Sequence, residues 1–450
     1  MWLKLKLHIS KLTPTRVIVT YYLLAITLST LLLSLPVAHK RGADWSFIDA
    51  LFTAVSAVSV TGLSVVSTPD TFNTLGIFIL IFVLQFGGIG IMTLGTFFWL
   101  LLGKRIGLKE RQLIMTDQNQ MNLSGLVNLL KQILLLVILI EIVGAVVLGT
   151  YFLSYYPSWQ EAYMHGLFAS VSATTNAGFD ITGQSFIPFK HDYFVQVITV
   201  LLITLGAIGF PVLIEVKNFI MNKEKKRHHF SLFTKITTTT FGLLLIVGTL
   251  LIIVMEFNHF FQGMSWHEAF FYAFFQSAST RSGGLATMNL AEFSLPTLMM
   301  LSGMMFIGAS PSSVGGGIRT TTFALNLLFL YHFAKGNQTI KIFRREIHQQ
   351  DVLKSLVVTM VAVLLCFTSV IILTITEDHT LIEIIFEVCS AFGTTGLSLG
   401  ITPDLSAIGK CVIMILMFIG RVGILSFLFM IGGKEKKANY HYPKERLIIG

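Results

Sequence analysis

Apolar residues along this 450-residue chain gather into eight long stretches separated by short polar segments. Four of them open a recurring unit: Val17 to Leu35, Gln132 to Tyr156, Ile236 to Met255 and Leu356 to Thr376. Four close it: Leu75 to Leu102, Tyr193 to Ile214, Leu295 to Ala334 and Cys411 to Gly433. A helix needs about 20 apolar residues to cross a hydrocarbon layer about 30 Å thick, so eight membrane spans are expected. Between the two stretches of each unit lies a shorter amphipathic run, too short to cross. Three of these runs begin alike, at Asp44-Trp45, Ser158-Trp159 and Ser265-Trp266, which sets a helix-capping side chain beside an interfacial aromatic. The fourth, from Thr380, lacks the tryptophan.

Each short run ends in the same pattern, Ser-Ala-x-x-x-small-Gly. It reads SAVSVTG to Gly62, SATTNAG to Gly178, SASTRSG to Gly283 and SAFGTTG to Gly396, with the glycines 116, 105 and 113 residues apart. Self-similarity at a near-constant period marks a repeat architecture. Each short run is therefore expected to be a half-helix that enters the membrane, ends at the motif and returns to the same side. Non-helical backbone at that depth survives where it is buried in protein or lines a watery cavity. The expected fold is an all-α polytopic membrane protein of four repeats in a pseudo-fourfold arrangement. Each repeat contributes a first helix, a re-entrant pore half-helix and a second helix, for eight transmembrane helices and four half-helices in all. The repeats divide at 1–107, 108–222, 223–345 and 346–450, the last carrying a tail.

Composition agrees: 54% of residues are hydrophobic, 12% are charged, and mean hydropathy is +0.75, whereas a soluble domain carries about 25% charged residues. The N-terminus runs through Lys4, Lys6, Lys11 and Arg16 directly into the first stretch, with no cleavage pattern of a signal peptide. The net charge of +9 is topological. Of 32 Lys and Arg, 24 lie in the N-terminus, the loop of Lys104 to Arg111, Lys217 to Lys235, Lys335 to Lys354 and the C-terminal tail. The positive-inside rule then puts both termini in the cytoplasm and brings the half-helices in from outside. Charge spread over five segments also argues against a nucleic-acid partner. Cys366, Cys389 and Cys411 have no metal-ligand or disulfide spacing and are expected to pack.

A cation entering a pore loses water, and rings of backbone carbonyls replace it at little cost, helped by the partial negative charge of helix C-termini. Glycine at the turn permits backbone conformations closed to other residues. The candidate ion-binding residues are therefore Val60, Thr61 and Gly62; Asn176, Ala177 and Gly178; Arg281, Ser282 and Gly283; and Thr394, Thr395 and Gly396. Their varied side chains suit a site built from carbonyls. A second element follows 24 to 28 residues after each glycine: GGIGIM from Gly87, GAIGFP from Gly206, GASPSS from Gly308 and GRVGIL from Gly420. The third continues to Thr322 as GASPSSVGGGIRTTT, inside a 40-residue stretch that would be about 60 Å long as one helix. It must break, and Pro311 with Gly315, Gly316 and Gly317 marks the place. Arg421 sits mid-span in the last stretch, where a cation is costly and faces the bundle interior, as gate or as a cap on broken-helix carbonyls. Glu141 is expected to pair helices, and Arg319 to anchor at the cytoplasmic boundary.

The four loops, the GASPSSVGGG interruption and the mid-span GRVG resemble the TrkH/KtrB/HKT superfamily of potassium transporters, and eight spans place the chain nearest its KtrB/KtrD branch. The resemblance implies potassium uptake through a selectivity filter at and before the four glycines, with K⁺ as the transported ion; whether Na⁺ is an activator or accompanies transport is left open by the sequence. It implies an intramembrane gating loop from Gly308 to Gly317, including Ser310, Gly315 and Gly316, occluded with the help of Arg421. It implies a homodimer in the cell membrane on a cytosolic KtrA/KtrC-type regulatory ring. The chain departs from the family at Gly284, where a bulkier residue is usual, and at Pro311-Ser312-Ser313. No cofactor is expected in the chain itself: it has neither GxGxxG nor a Walker A pattern, so nucleotide belongs to the partner. Two rivals remain. A secondary transporter of another cation or small solute would use broken helices as its binding site. An intramembrane hydrolase with Ser310 as nucleophile would need a histidine base, and His332 lies about two dozen residues away toward the cytoplasm.

Overall fold

The computed structural model describes residues 14–42, 45–90, 93–97, 106, 107, 111–113, 115, 125–221, 229–337, 339–431, 443 and 445. Four long helices carry the lipid-facing surface: α1 (Pro14–Leu33), with α4 (Leu126–Phe152), α8 (Leu232–Glu256) and α12 (Gln349–Thr376) further along the chain. Leu31, Leu139, Leu250 and Phe367 on these helices are more than half exposed, an arrangement that makes sense only against hydrocarbon. After each comes a short helix: α2 (Phe47–Ser59), α5 (Trp159–Thr174), α9 (Trp266–Ser279) and α13 (Leu381–Gly393). Their last turn is buried throughout.

The starts of the short helices follow from capping. Ser158 accepts from the Glu161 N–H, and Ser265 and Thr380 form reciprocal boxes with Glu268 and Glu383. In the first unit the cap is Ser46, which accepts from the Asp49 N–H at 3.2 Å, rather than Asp44. Asp44 lies outside the described residues.

The closing stretches depart most from expectation. They form α3 (Thr74–Gly88), α6 (Tyr193–Ala207), α10 (Leu295–Ile307) and α14 (Ala407–Val422), and all four stop midway instead of the third alone. Helical backbone resumes at 93–97 and in α7 (Phe210–Met221), α11 (Thr320–Ala334) and α15 (Ile424–Ile431). The cause lies in the second sequence element. Its fourth position is Gly90, Gly209 or Gly423, each at φ near +90° to +103°, where an α-helix cannot continue. α6 meets α7 at 105° and α14 meets α15 at 102°. The third copy has Pro311 at this position and breaks three residues earlier, at Gly308. Among the described residues, then, four helices are long and apolar enough to cross a membrane, or six if each bent pair is one span. Of the eight spans expected from hydropathy, with a break in the third closing stretch alone, all four closing ones are broken among the described residues.

The first glycine of the same element has a separate reason. A Cβ on Gly87, Gly206 or Gly420 would lie within 3.0 Å of the carbonyl oxygen of Val58, Thr174 or Phe392 respectively, each four residues before the glycine that ends its repeat's own loop. Small residues here let backbone pack on backbone. At the opposite end, the N-cap of every second helix is tied to the end of the first helix of its own repeat or to the residues just after it. Asn73 donates to Val37 and His39 carbonyls, Tyr155 donates to Asp192, and Glu256 and Glu377 accept from the N–H and hydroxyl of Ser294 and Ser406.

A two-stranded antiparallel hairpin, β1 (Lys341–Ile342) and β2 (Arg345–Glu346), turns at Phe343 and Arg344, both at positive φ, and adds to the expected all-α fold. Cys366 is buried, but Cys411 is exposed and does not pack as expected.

Gly420→Ala should displace α14 from the end of α13 and lower stability by about 1–3 kcal/mol, as overpacking does. Gly303→Ala, on α10 with open space at its Cα, should leave stability unchanged or raise it. Thermal unfolding in detergent, read by loss of the monodisperse species, checks both.

Candidate functional site

The short helices end where their backbone passes into the left-handed region. Val60, Asn176, Ser282 and Thr394 all have φ between 48° and 70°. Two residues on, Gly62, Gly178, Gly284 and Gly396 have φ between 68° and 94°. These four glycines form a closed ring. A Cβ on Gly62 would lie 2.6 Å from the Ala177 oxygen and 2.8 Å from Gly178 Cα. One on Gly178 would lie 3.0 Å from Gly284 Cα and 3.2 Å from the Thr61 oxygen. Gly284 abuts Gly178 and the Thr395 oxygen, and Gly396 abuts Gly62 and the Thr61 oxygen.

The third loop is thus one residue out of the register read from the motif. Gly284 occupies the ring, Gly283 takes the place of Thr61, Ala177 and Thr395, and Arg281 falls one position before the left-handed residue. Gly283 is not at positive φ, and a Cβ there would point back at Ile203 and Ser279. A signal for this register exists in the sequence. The other three ring glycines are followed by Leu63, Phe179 and Leu397, all buried, and the equivalent residue is Leu285, after Gly284. With that register Gly284 ceases to be a departure from the family.

The remaining candidates gather directly beneath the ring, where α10 gives way to a loop of residues 308–319 before α11. A Cβ on Gly315 would strike the Ser282 hydroxyl, and one on Gly316 the Thr394 side chain, so the loop passes against the residues just before the ring. Ser310 donates its N–H to Ala207 at 3.0 Å, Val314 donates to Gly206 at 3.3 Å, and Phe210 donates to the Ser312 carbonyl at 2.9 Å, which fixes the loop to the break between α6 and α7. Inside the loop, Ala309 donates to Gly316, and Gly308 and Gly317 touch backbone to backbone.

Arg421 closes the arrangement. Its guanidinium donates to Val314 and Gly87 carbonyls, and to Gly315 at 3.5 Å, so it ties the end of α3 to the loop from α14. Arg319 points into the same loop. It turns back on the loop at φ 78° and donates to Gly315. Both arginines line a cavity of about 230 Å³ on the far side of the loop from the ring, with Gly88, Pro311, Ser312 and Gly317. Ser310 accepts from the Thr320 hydroxyl at 3.0 Å, while the His332 ring lies against the Leu328 carbonyl at 2.9 Å, so the pairing that a hydrolase requires is not formed. Glu141 accepts from Gln85 at 2.8 Å and joins α4 to α3.

Residues 9–439 match the family model described as a cation transport protein, TrkH. Over its full 450 residues the chain is 67% identical to Ktr system potassium uptake protein D of Bacillus subtilis, covering all of that protein. It is 34% identical to Ktr system potassium uptake protein B of the same organism, over 98% of this chain and 97% of the relative. Its fold matches the crystal structure of the potassium transporter TrkH from Vibrio parahaemolyticus, with a TM-score of 0.71 at 21% identity, over 91% of this chain and 84% of that one. With relatives that are cation transport proteins rather than enzymes over its whole length, the chain is a KtrB/KtrD-type membrane subunit of the TrkH family of cation transport proteins.

Proposed function

We propose that this chain takes up K⁺ across the cell membrane as the ion-translocating subunit of a Ktr-type system. The observation that carries the reading is the ring in which each glycine abuts its neighbours' backbone. With no side chains between them, the carbonyls of Thr61, Ala177, Gly283 and Thr395 are the groups available to replace an ion's water. The short helices bring their C-terminal partial charges toward the same point. Four similar units around one axis suit a pore better than the two-unit site of a secondary carrier.

In this reading the repeats are four helix, half-helix, helix units in pseudo-fourfold array, with both termini cytoplasmic and the half-helices entering from outside. The filter is Val60 to Gly62, Asn176 to Gly178, Ser282 to Gly284 and Thr394 to Gly396. The loop from Gly308 to Gly317 is the gate, held shut by Arg421. The relatives' names refer to a Ktr system, which supports a partnership. The subunit would act as a homodimer on a cytosolic nucleotide-binding ring of KtrA/KtrC type, with Na⁺ as an activator. K⁺ uptake into proteoliposomes with and without Na⁺ and the ring tests the whole.

Orientation is checked by thiol labelling in a chain whose native cysteines are replaced: a cysteine at Arg344 should label from the cytoplasmic side and one at Lys190 from outside, and the reverse pattern would invert the filter. For the filter, Gly62→Ser and Gly284→Ser should each lower K⁺ over Na⁺ preference by about tenfold, because a side chain at positive φ costs about 1–2 kcal/mol and displaces the carbonyls. Gly283→Ala should have a smaller effect, which relative uptake of the two ions will show. For the gate, a fixed charge about 5 Å from a passing K⁺ at an effective dielectric near 20 opposes it by about 3 kcal/mol, roughly a hundredfold in occupancy. Arg421→Ala should raise K⁺ flux in the absence of the partner, and deletion of 312–317 should raise it further; no increase in either would place the gate elsewhere.

A further inference from the structure

The residue three before the ring glycine is Ser59, Thr175 and Gly393 in loops one, two and four, and Arg281 in loop three. Ser59 and Thr175 turn back on their own helices, donating to Val55 at 2.6 Å and Val171 at 2.7 Å. Arg281 does something different. Its side chain is fully buried, leaves its own helix and donates from Nη2 to the carbonyl of Met304 in the last turn of α10. Nε and Nη1 have no partner. A buried guanidinium with so few hydrogen bonds is costly, and the other loops show that a small residue serves the turn. Stability alone therefore does not explain it.

The last turn of α10 is where the loop beneath the ring begins and ends. The Phe306 carbonyl accepts from Ile318 and the Ile307 carbonyl from Arg319, both on the loop's return, and Gly308 breaks the helix. Met305 packs its carbonyl on Gly393 of loop four, whose own carbonyl accepts from the Ser282 hydroxyl at 3.0 Å. Of the four consecutive carbonyls of one helical turn, the first two, of Met304 and Met305, thus meet residues that support the ring, and the next two, of Phe306 and Ile307, are held by the loop. Any movement that frees Phe306 and Ile307 from the loop pulls on the turn that Arg281 grips.

We propose that Arg281 is a positioning residue that couples the loop to the third segment of the ring, so that release of the loop alters ion preference as well as flux. The coupling is specific to the third repeat, because there the ring and the loop share a helix turn and an arginine joins them. It rests on the reading of residues 308–317 as the gate, and the test separates the two.

K⁺ and Na⁺ uptake into proteoliposomes without the partner would be compared for the parent chain, Arg281→Gln, deletion of 312–317, and the two combined. Deletion in the parent should raise flux and shift the K⁺ to Na⁺ ratio at least threefold. With Arg281→Gln in place, the same deletion should still raise flux but leave the ratio within the error of the single variant. Arg281→Lys, which keeps one long donor, should restore most of the shift. Arg281→Ser, the residue type of loop one, provides the same comparison if the glutamine variant does not assemble. A deletion that fails to raise flux would refute the gate. A rise in flux with no ratio shift in the parent, or with the same shift whether or not Arg281 is present, would refute the coupling and leave the gate standing.

Discussion

Four chain reversals deep inside an apolar molecule face one constraint: every peptide group freed from a helix needs a partner, since leaving it bare in a medium without water costs several kcal/mol. The fold meets it by making the reversals coincide. Each loop brings its unpaired carbonyls against the next, and helix ends stop short so that these groups share one location. The glycine packing of Gly87, Gly206 and Gly420 follows from this, since the second helices must approach within backbone contact to seal the half-helix ends from lipid. So does Arg421, which supplies donors to carbonyls stranded by the breaks at Gly87 and Val314. On the proposed reading of the gate, the cap for broken helices and the cation set across the ion path are one side chain.

The repeat, the membrane class and the four glycine loops were legible because each rests on a pattern that recurs. Only the third helix break is read from the sequence, although the signal for all four recurs equally. Elsewhere G-x-x-G reads as a recurrent element in the middle of a continuous span, because hydropathy sums composition and is blind to the sign of φ. The third loop was misread for a related reason. Where two glycines stand side by side, the motif cannot say which takes the left-handed conformation, and the answer lies in the next residue, Leu285, which fills the pocket that Leu63, Phe179 and Leu397 fill elsewhere. The ties at Asn73, Asp192, Glu256 and Glu377 have no signature common to all four repeats, because three different side-chain chemistries perform the same task, with only the third and fourth repeats sharing one.

Arg281 shows where sequence reasoning ran in the wrong direction. In the register of the motif it stands beside Val60, Asn176 and Thr394 and reads as one more variable neighbour in a site made of carbonyls. Its burial and its reach to Met304 depend on where α10 ends, which no local pattern discloses.

Pro311 stands where the other repeats have the glycine that lets the helix turn aside. In the second and fourth repeats the chain turns aside at 105° and 102°, while in the third it passes through the loop of residues 308–319 before helix resumes. On the proposed reading of that loop as the gate, the wall is fourfold but the obstruction is single. A regulator working below such a channel does not have to dilate it evenly, as an iris would. It has to draw one bolt, and the remaining three walls can stay as rigid as selectivity requires.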